Sequence, residues 1–110
     1  MKVINLTPHD VDICDRQGNV LKTYKASGEV ARINHGYDDI DYVDGVPIVV
    51  RTDEQIVGLP KEQDGVMYIV STIVLNECKD RLDLLAPVQQ MRVRGQVVGC
   101  RSFMSNRRES

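Results

Sequence analysis

The chain has no tryptophan, one phenylalanine, two histidines and three cysteines among its 110 residues. Each scarcity removes a class of function. An odd number of widely spaced cysteines makes neither a disulfide framework nor a metal-ligand cluster, and reads as reduced thiols in a cytoplasmic protein. Two histidines, without Cys-x-x-Cys or His-x-x-x-His spacing, do not form a zinc site. No apolar run approaches the roughly 18 residues of a membrane-crossing helix, so no membrane association is expected. The opening residues, MKVINLTPHD, carry no apolar h-region and no small-residue cleavage site, and a secretory signal is not expected. Neither G-x-G-x-x-G nor G-x-x-x-x-G-K-[ST] occurs, which removes the dinucleotide and P-loop fingerprints, and no cofactor is implied. Positive charge is also missing: 14 basic against 16 acidic residues give a net charge of −2. Duplex nucleic acid is therefore not an expected partner, because neutralised phosphates supply most of such affinity.

What remains is an ordinary globular composition, 42% apolar and 27% charged, in a length suited to one domain. Strand signals dominate it. KVINL (2–6) stops at Thr7 and Pro8. DVDIC (10–14) alternates, and turn residues in DRQGNV join it to VLKTY as a hairpin over 10–24. EVARIN (29–34) reads as a further strand. DGVPIVVR (44–51) and DGVMYIVS (64–71) each open on an Asp-Gly turn and run into apolar residues, with Pro47 marking an edge. Between them TDEQIVGLPKEQ reads as a polar connection. VQQMRVRGQVVGCRSF (88–103) reads as two strands about Arg94 and Gly95. Only residues 71–79 suit a helix, with Ser71 as N-cap and Ile73, Val74 and Cys78 as its apolar stripe. The expected fold is α+β: a β-rich single domain of antiparallel hairpins with one short helix. It spans 1–104, followed by a flexible polar tail at 105–110.

Reactive groups are few, and each has a plainer reading. Ser71 stands between a strand and a helix, as a hydrolase nucleophile does, but IVSTI gives it bulky neighbours where a nucleophile elbow needs small ones. Capping is the better reading. Cys78 lies near a helix C-terminus, which disfavours a thiolate, and Cys14 and Cys100 sit in apolar alternations as small core residues. His9, in LTPHD, follows a bend and precedes Asp10; its plain reading is a loop histidine. Asp38, Asp39, Asp41 and Asp44 lack the spacing and the closing Glu of a calcium loop, and read as a solvated strand or loop face. Arginine is more suggestive. Residues 92–108 hold Arg92, Arg94, Arg101, Arg107 and Arg108 without one acid, in a chain that is otherwise acidic. Period-two spacing puts Arg92 and Arg94 on one strand face, with Arg101 on the partner strand. Guanidinium forks suit phosphates and carboxylates, so an anion site is expected there.

The segments INLTPHDVDI, GLP, YIVSTIV, RLDLLAP and GQVVGCRSF, in that order, carry a resemblance. The chain resembles a family of small proteins encoded in phages and prophages that bear an N-terminal Asn-Leu-Thr-Pro-His signature. The likeness covers nearly the whole chain and brings no catalytic motif with it. Small phage proteins of this size include inhibitors of bacterial defence, among them the Thoeris anti-defence sponges. Those are oligomeric and sequester cyclic nucleotide-type signals without cleaving them. The resemblance implies a non-enzymatic homo-oligomer that captures a phosphate-bearing nucleotide signal in the host cytoplasm. The resemblance assigns no binding residues; the acid-free arginine cluster is what places Arg92, Arg94 and Arg101 against phosphates, with Thr7, His9, Ser71 and Arg81 as a polar rim. Tyr68 or Phe103 stacks on a base. Two rivals stand beside it: an inhibitor that pairs an edge strand with a host protein, and a small nucleotide hydrolase with His9 as base.

Overall fold

The computed structural model describes residues 1–108. Eight strands and one helix follow in the order β1 (Lys2–Asn5), β2 (Val11–Cys14), β3 (Val20–Tyr24), β4 (Arg32–Val43), β5 (Val46–Val57), β6 (Val66–Ile69), α1 (Thr72–Glu77), β7 (Leu84–Val93) and β8 (Gln96–Met104). The molecule is a β-rich single domain with antiparallel hairpins and one short helix, as the sequence led us to expect. The three hairpins β2–β3, β4–β5 and β7–β8 are antiparallel. Parallel pairs were not legible: β1 with β6, β6 with β7, and β2 with β8. The β6–α1–β7 segment is thus a single β-α-β unit.

Six strands form one sheet in the order β1-β6-β7-β8-β2-β3. Its two outer strands come back together. Asn5 and Ala26 make an isolated parallel bridge, and the Ser27 amide donates to the Asn5 carbonyl at 3.0 Å. The sheet therefore rolls into a small, incompletely hydrogen-bonded barrel. Its interior takes residues from every strand: Val3, Val11, Ile13, Tyr24, Ile69, Leu85, Cys100 and Phe103. The Tyr24 and Phe103 rings meet edge-on there, with centroids 5.7 Å apart. Outside the barrel, a second cluster packs Tyr68, Val70, Leu84 and Ala86 against Val74 and Leu75 of α1. Strand β6 lies between the two clusters, so successive side chains go to opposite cores and Met67 to Val70 are all buried. A continuous apolar run with no alternation is the sequence signature of such a strand.

Helix α1 is short and capped at both ends. The Ser71 hydroxyl accepts from the Val74 amide at 3.3 Å, and the Cys78 amide returns to Val74 and Leu75. Asn106 then donates through Nδ2 towards the carbonyls of Leu75, Cys78 and Arg81 at 3.0–3.3 Å. Arg107 donates through Nε to the Leu82 carbonyl. Residues 106 and 107 thus satisfy orphan carbonyls of the helix exit. Residues 109 and 110 of the expected tail lie outside the described residues.

Strands β4 and β5 form a separate two-stranded sheet of 12 residues each. The segment TDEQIV continues β5, where the sequence suggested a polar connection. The arm is rooted where the Ala31 amide donates to the Leu6 carbonyl, with Ala31, Ile33 and Leu59 in the outer cluster. Asp44 and Gly45, both at positive φ, make its two-residue turn. The arm makes the molecule extended. Its radius of gyration is 17.5 Å, against about 13 Å for a compact chain of this length. Among the described residues, no helix is long and apolar enough to cross a membrane.

Candidate functional site

The signature turn after β1 is built on Asn5, a residue that sequence reasoning passed over. Its side chain is buried and fully used. Nδ2 donates to the carbonyls of His9 and Tyr24 at 2.8 and 2.9 Å, and Oδ1 accepts from the Thr7 amide and hydroxyl at 2.9 and 2.7 Å. One amide thus ties the β1 exit to the end of β3, across the seam where the barrel closes. Thr7 is occupied as part of this clasp. Its position gives the first half of the Asn-Leu-Thr-Pro-His motif a folding role. The buried polar side chain at the end of an apolar run was the available signal.

The clasp presents His9 at the edge of an open cleft of about 350 Å³. His9, Asp10, Val11 and Asp12 line one side; Pro87, Gln90, Val97, Gly99 and Cys100 line the other. Of the nine residues singled out for ligand contact, only His9 lies here. The cleft holds two carboxylates and neither lysine nor arginine, so its field opposes a phosphate. Asp10 accepts from the Ala26 amide, and Asp12 from the Thr23 hydroxyl, so both also serve the β2–β3 hairpin. Among the described residues, no group of three or more potential metal ligands converges.

The other candidates are dispersed. Tyr68 is 1% exposed inside the outer core and offers no ring face for stacking, because the two-sided burial of β6 claims it. Phe103 is half-buried in the barrel interior against Tyr24. Ser71 caps α1. Arg81 makes a fork-to-fork pair with Asp83, with Nε and Nη2 at 2.9 and 2.8 Å, and also donates to the Pro60 carbonyl. That hydrogen-bonded pair holds the Asp83 carboxyl below its ordinary range. The guanidinium is consumed in pinning the α1 exit to the segment after β5. Burial pushes the Cys78 and Cys100 thiols up, which agrees with the reading of both as unreactive.

The arginine hairpin differs from its expected geometry at one point. Strand β7 ends at Val93, and Arg94 and Gly95 form the turn with φ of 53° and 80°. Arg92 and Arg94 therefore do not share a strand face. Arg92 donates to the Gly95 carbonyl at 3.4 Å, and Arg101 lies further down β8. The three are strung along the hairpin and are exposed. Among the described residues none of them is in an ion pair, and none lines the cleft beside His9.

The arm is the largest exposed apolar feature. Tyr37, Ile40, Tyr42 and Val46 are each 60–62% exposed, and Val43, Ile48, Val49 and Val50 are exposed as well. Asp38, Asp39, Asp41 and Asp44 are interleaved with them, and none is in an ion pair among the described residues. His35, Arg51 and Glu54 meet nearer the root, at 3.5–3.7 Å. The acid run expected to be a solvated face does lie on an exposed strand, but tyrosine and isoleucine sit beside it. No protein-family model, curated protein or solved structure matches the chain.

Proposed function

We propose that this protein works by binding another protein through the β4–β5 arm, without chemistry of its own. One observation carries the reading. A two-stranded ribbon is marginal in water by itself, yet this one exposes eight large apolar side chains well clear of either core. Large exposed apolar patches interleaved with charge mark association surfaces. Both long edges of the ribbon also carry backbone groups without strand partners, so strand addition is open to it. The phage setting and the role as an inhibitor of host defence rest on the motif resemblance, and are proposed with it.

The test compares the wild-type chain with a Tyr37→Ser, Ile40→Ser, Tyr42→Ser variant. Both are used as bait for host proteins, and self-association is read from molar mass in the same samples. The reading expects every stoichiometric contact to weaken at least tenfold in the variant while the melting temperature stays within a few degrees. Retention of all contacts, self-association included, overturns it.

The unpaired arginines favour a second reading, capture of a phosphate-bearing nucleotide along the β7–β8 hairpin, completed by a neighbouring subunit. Heat release after incubation with a panel of cyclic and linear nucleotides tests it. An intact nucleotide recovered from wild type, and lost with Arg92→Glu and Arg101→Glu, supports capture without cleavage. An empty panel removes it.

A further inference from the structure

We propose that the arm docks on the β7–β8 hairpin of a second copy of this chain, and that the second copy returns the contact. The inference rests on reading the arm as a docking element, and names its partner. Opposite charge on matching apolar surfaces is the ground for it. The distal arm carries Asp38, Asp39, Asp41 and Asp44 among exposed Tyr37, Ile40 and Tyr42. The hairpin carries Arg92, Arg94 and Arg101, without an acid in residues 84–108, among exposed Val93 and Val97.

Their lengths also match. The first and last of the four acids are six residue steps apart, roughly 20 Å at ~3.3 Å per residue. Arg101 lies between the Cys100↔Gln90 and Ser102↔Val88 pairs, so it stands about five residues, roughly 17 Å, below the Arg94 turn. Docking of arm on arm would set four carboxylates against four, which repels. Arm on hairpin sets the four carboxylates against three guanidinium groups of opposite sign.

Strand edges permit a close approach. Only Leu84 and Leu85 of β7 pair with β6. Beyond them, among the described residues, β7 has β8 on one side and no strand on the other, and both arm strands have one free edge. A two-fold pair of such contacts closes on itself and uses each surface once, which gives a dimer and not a filament.

A charge swap tests the proposal on the full-length chain. One variant carries Asp38→Arg, Asp39→Arg and Asp41→Arg; the other carries Arg92→Glu, Arg94→Glu and Arg101→Glu. Light scattering should give wild type twice the chain mass of 12.4 kDa, and each variant alone the single-chain mass. An equimolar mixture should return to twice the chain mass, because one contact then pairs the native arm with the native hairpin and the other pairs the two substituted surfaces with their signs reversed. Restoration also shows that each variant is folded. A wild type that stays at the single-chain mass up to high micromolar concentration overturns the proposal. So does a dimer that survives either charge reversal, or a mixture that does not reassemble. In those cases the serine-substituted arm still tells whether the arm binds another protein, so this inference and the reading beneath it fail separately.

Discussion

Single side chains hold the barrel shut. Asn5 satisfies two carbonyls and accepts two hydrogen bonds from Thr7 across the seam between β1 and β3. Its loss leaves buried polar groups without partners, each costing about 1–3 kcal/mol. Asn5→Ala should lower stability by about 3 kcal/mol in urea unfolding, and Asn5→Asp should not rescue it, since a carboxylate cannot donate to the two carbonyls. The Arg81–Asp83 pair gives a pH signature. Asp83 holds its proton less tightly folded than unfolded, where the ordinary value is 3.8. The pair therefore adds stability above about pH 4, and loses it as pH falls through the depressed folded value. The stability gap between wild type and Asp83→Asn should be about 1–2 kcal/mol at neutral pH and should close on acidification. A gap that persists unchanged at pH 2 would assign the effect to packing. Of these residues, Arg81 was read as a rim contact although the acid that occupies it, Asp83, stands only two positions on; the Pro60 carbonyl that completes the pin is distant in sequence.

Elements with local causes were legible, and those with distant causes were not. The β7–β8 turn, the β2–β3 hairpin and the cap at Ser71 follow from short-range chemistry: left-handed turn residues, alternation, and a hydroxyl before a helix. The parallel neighbours β1, β6 and β7 follow from contacts across tens of residues, which no periodicity encodes. The arm was hidden for a different reason. Its second half, TDEQIV, faces solvent on both sides, so nothing imposes the alternation that identifies a half-buried strand. Its geometry leaves clear marks once known. A Cβ on Gly36 would collide with the Thr52 hydroxyl, at the register shift between His35 and Tyr37. Only the root of the arm, through Ala31, Ile33 and Leu59, belongs to a core. Replacing residues 35–54 with a two-residue turn should leave a folded barrel whose melting temperature falls by no more than about 5 °C. Cooperative unfolding is the check. Collapse of the barrel would make the arm a folding element and not a docking one.

At the scale of the molecule, a near-neutral chain separates its charge: acid on the arm, arginine on the far hairpin. Net charge alone concealed this, while the acid-free stretch from residue 92 to 108 disclosed half of it. An assembly built on the separation should respond to salt in a way that apolar docking does not. The Debye length falls from ~10 Å at 0.1 M salt to ~3 Å at 1 M, so exposed carboxylate–guanidinium pairs lose most of their attraction. Contacts among Tyr37, Ile40, Tyr42, Val93 and Val97 are not weakened by salt, and sulfate strengthens apolar burial. The dimer dissociation constant, followed by sedimentation, should rise at least tenfold between 0.1 M and 1 M sodium chloride. The Tyr37→Ser, Ile40→Ser, Tyr42→Ser variant should retain that salt slope from a weaker starting affinity. An affinity that is constant or improves in high salt would show that apolar area alone selects the partner, and the arginine hairpin would then be free for an anionic ligand.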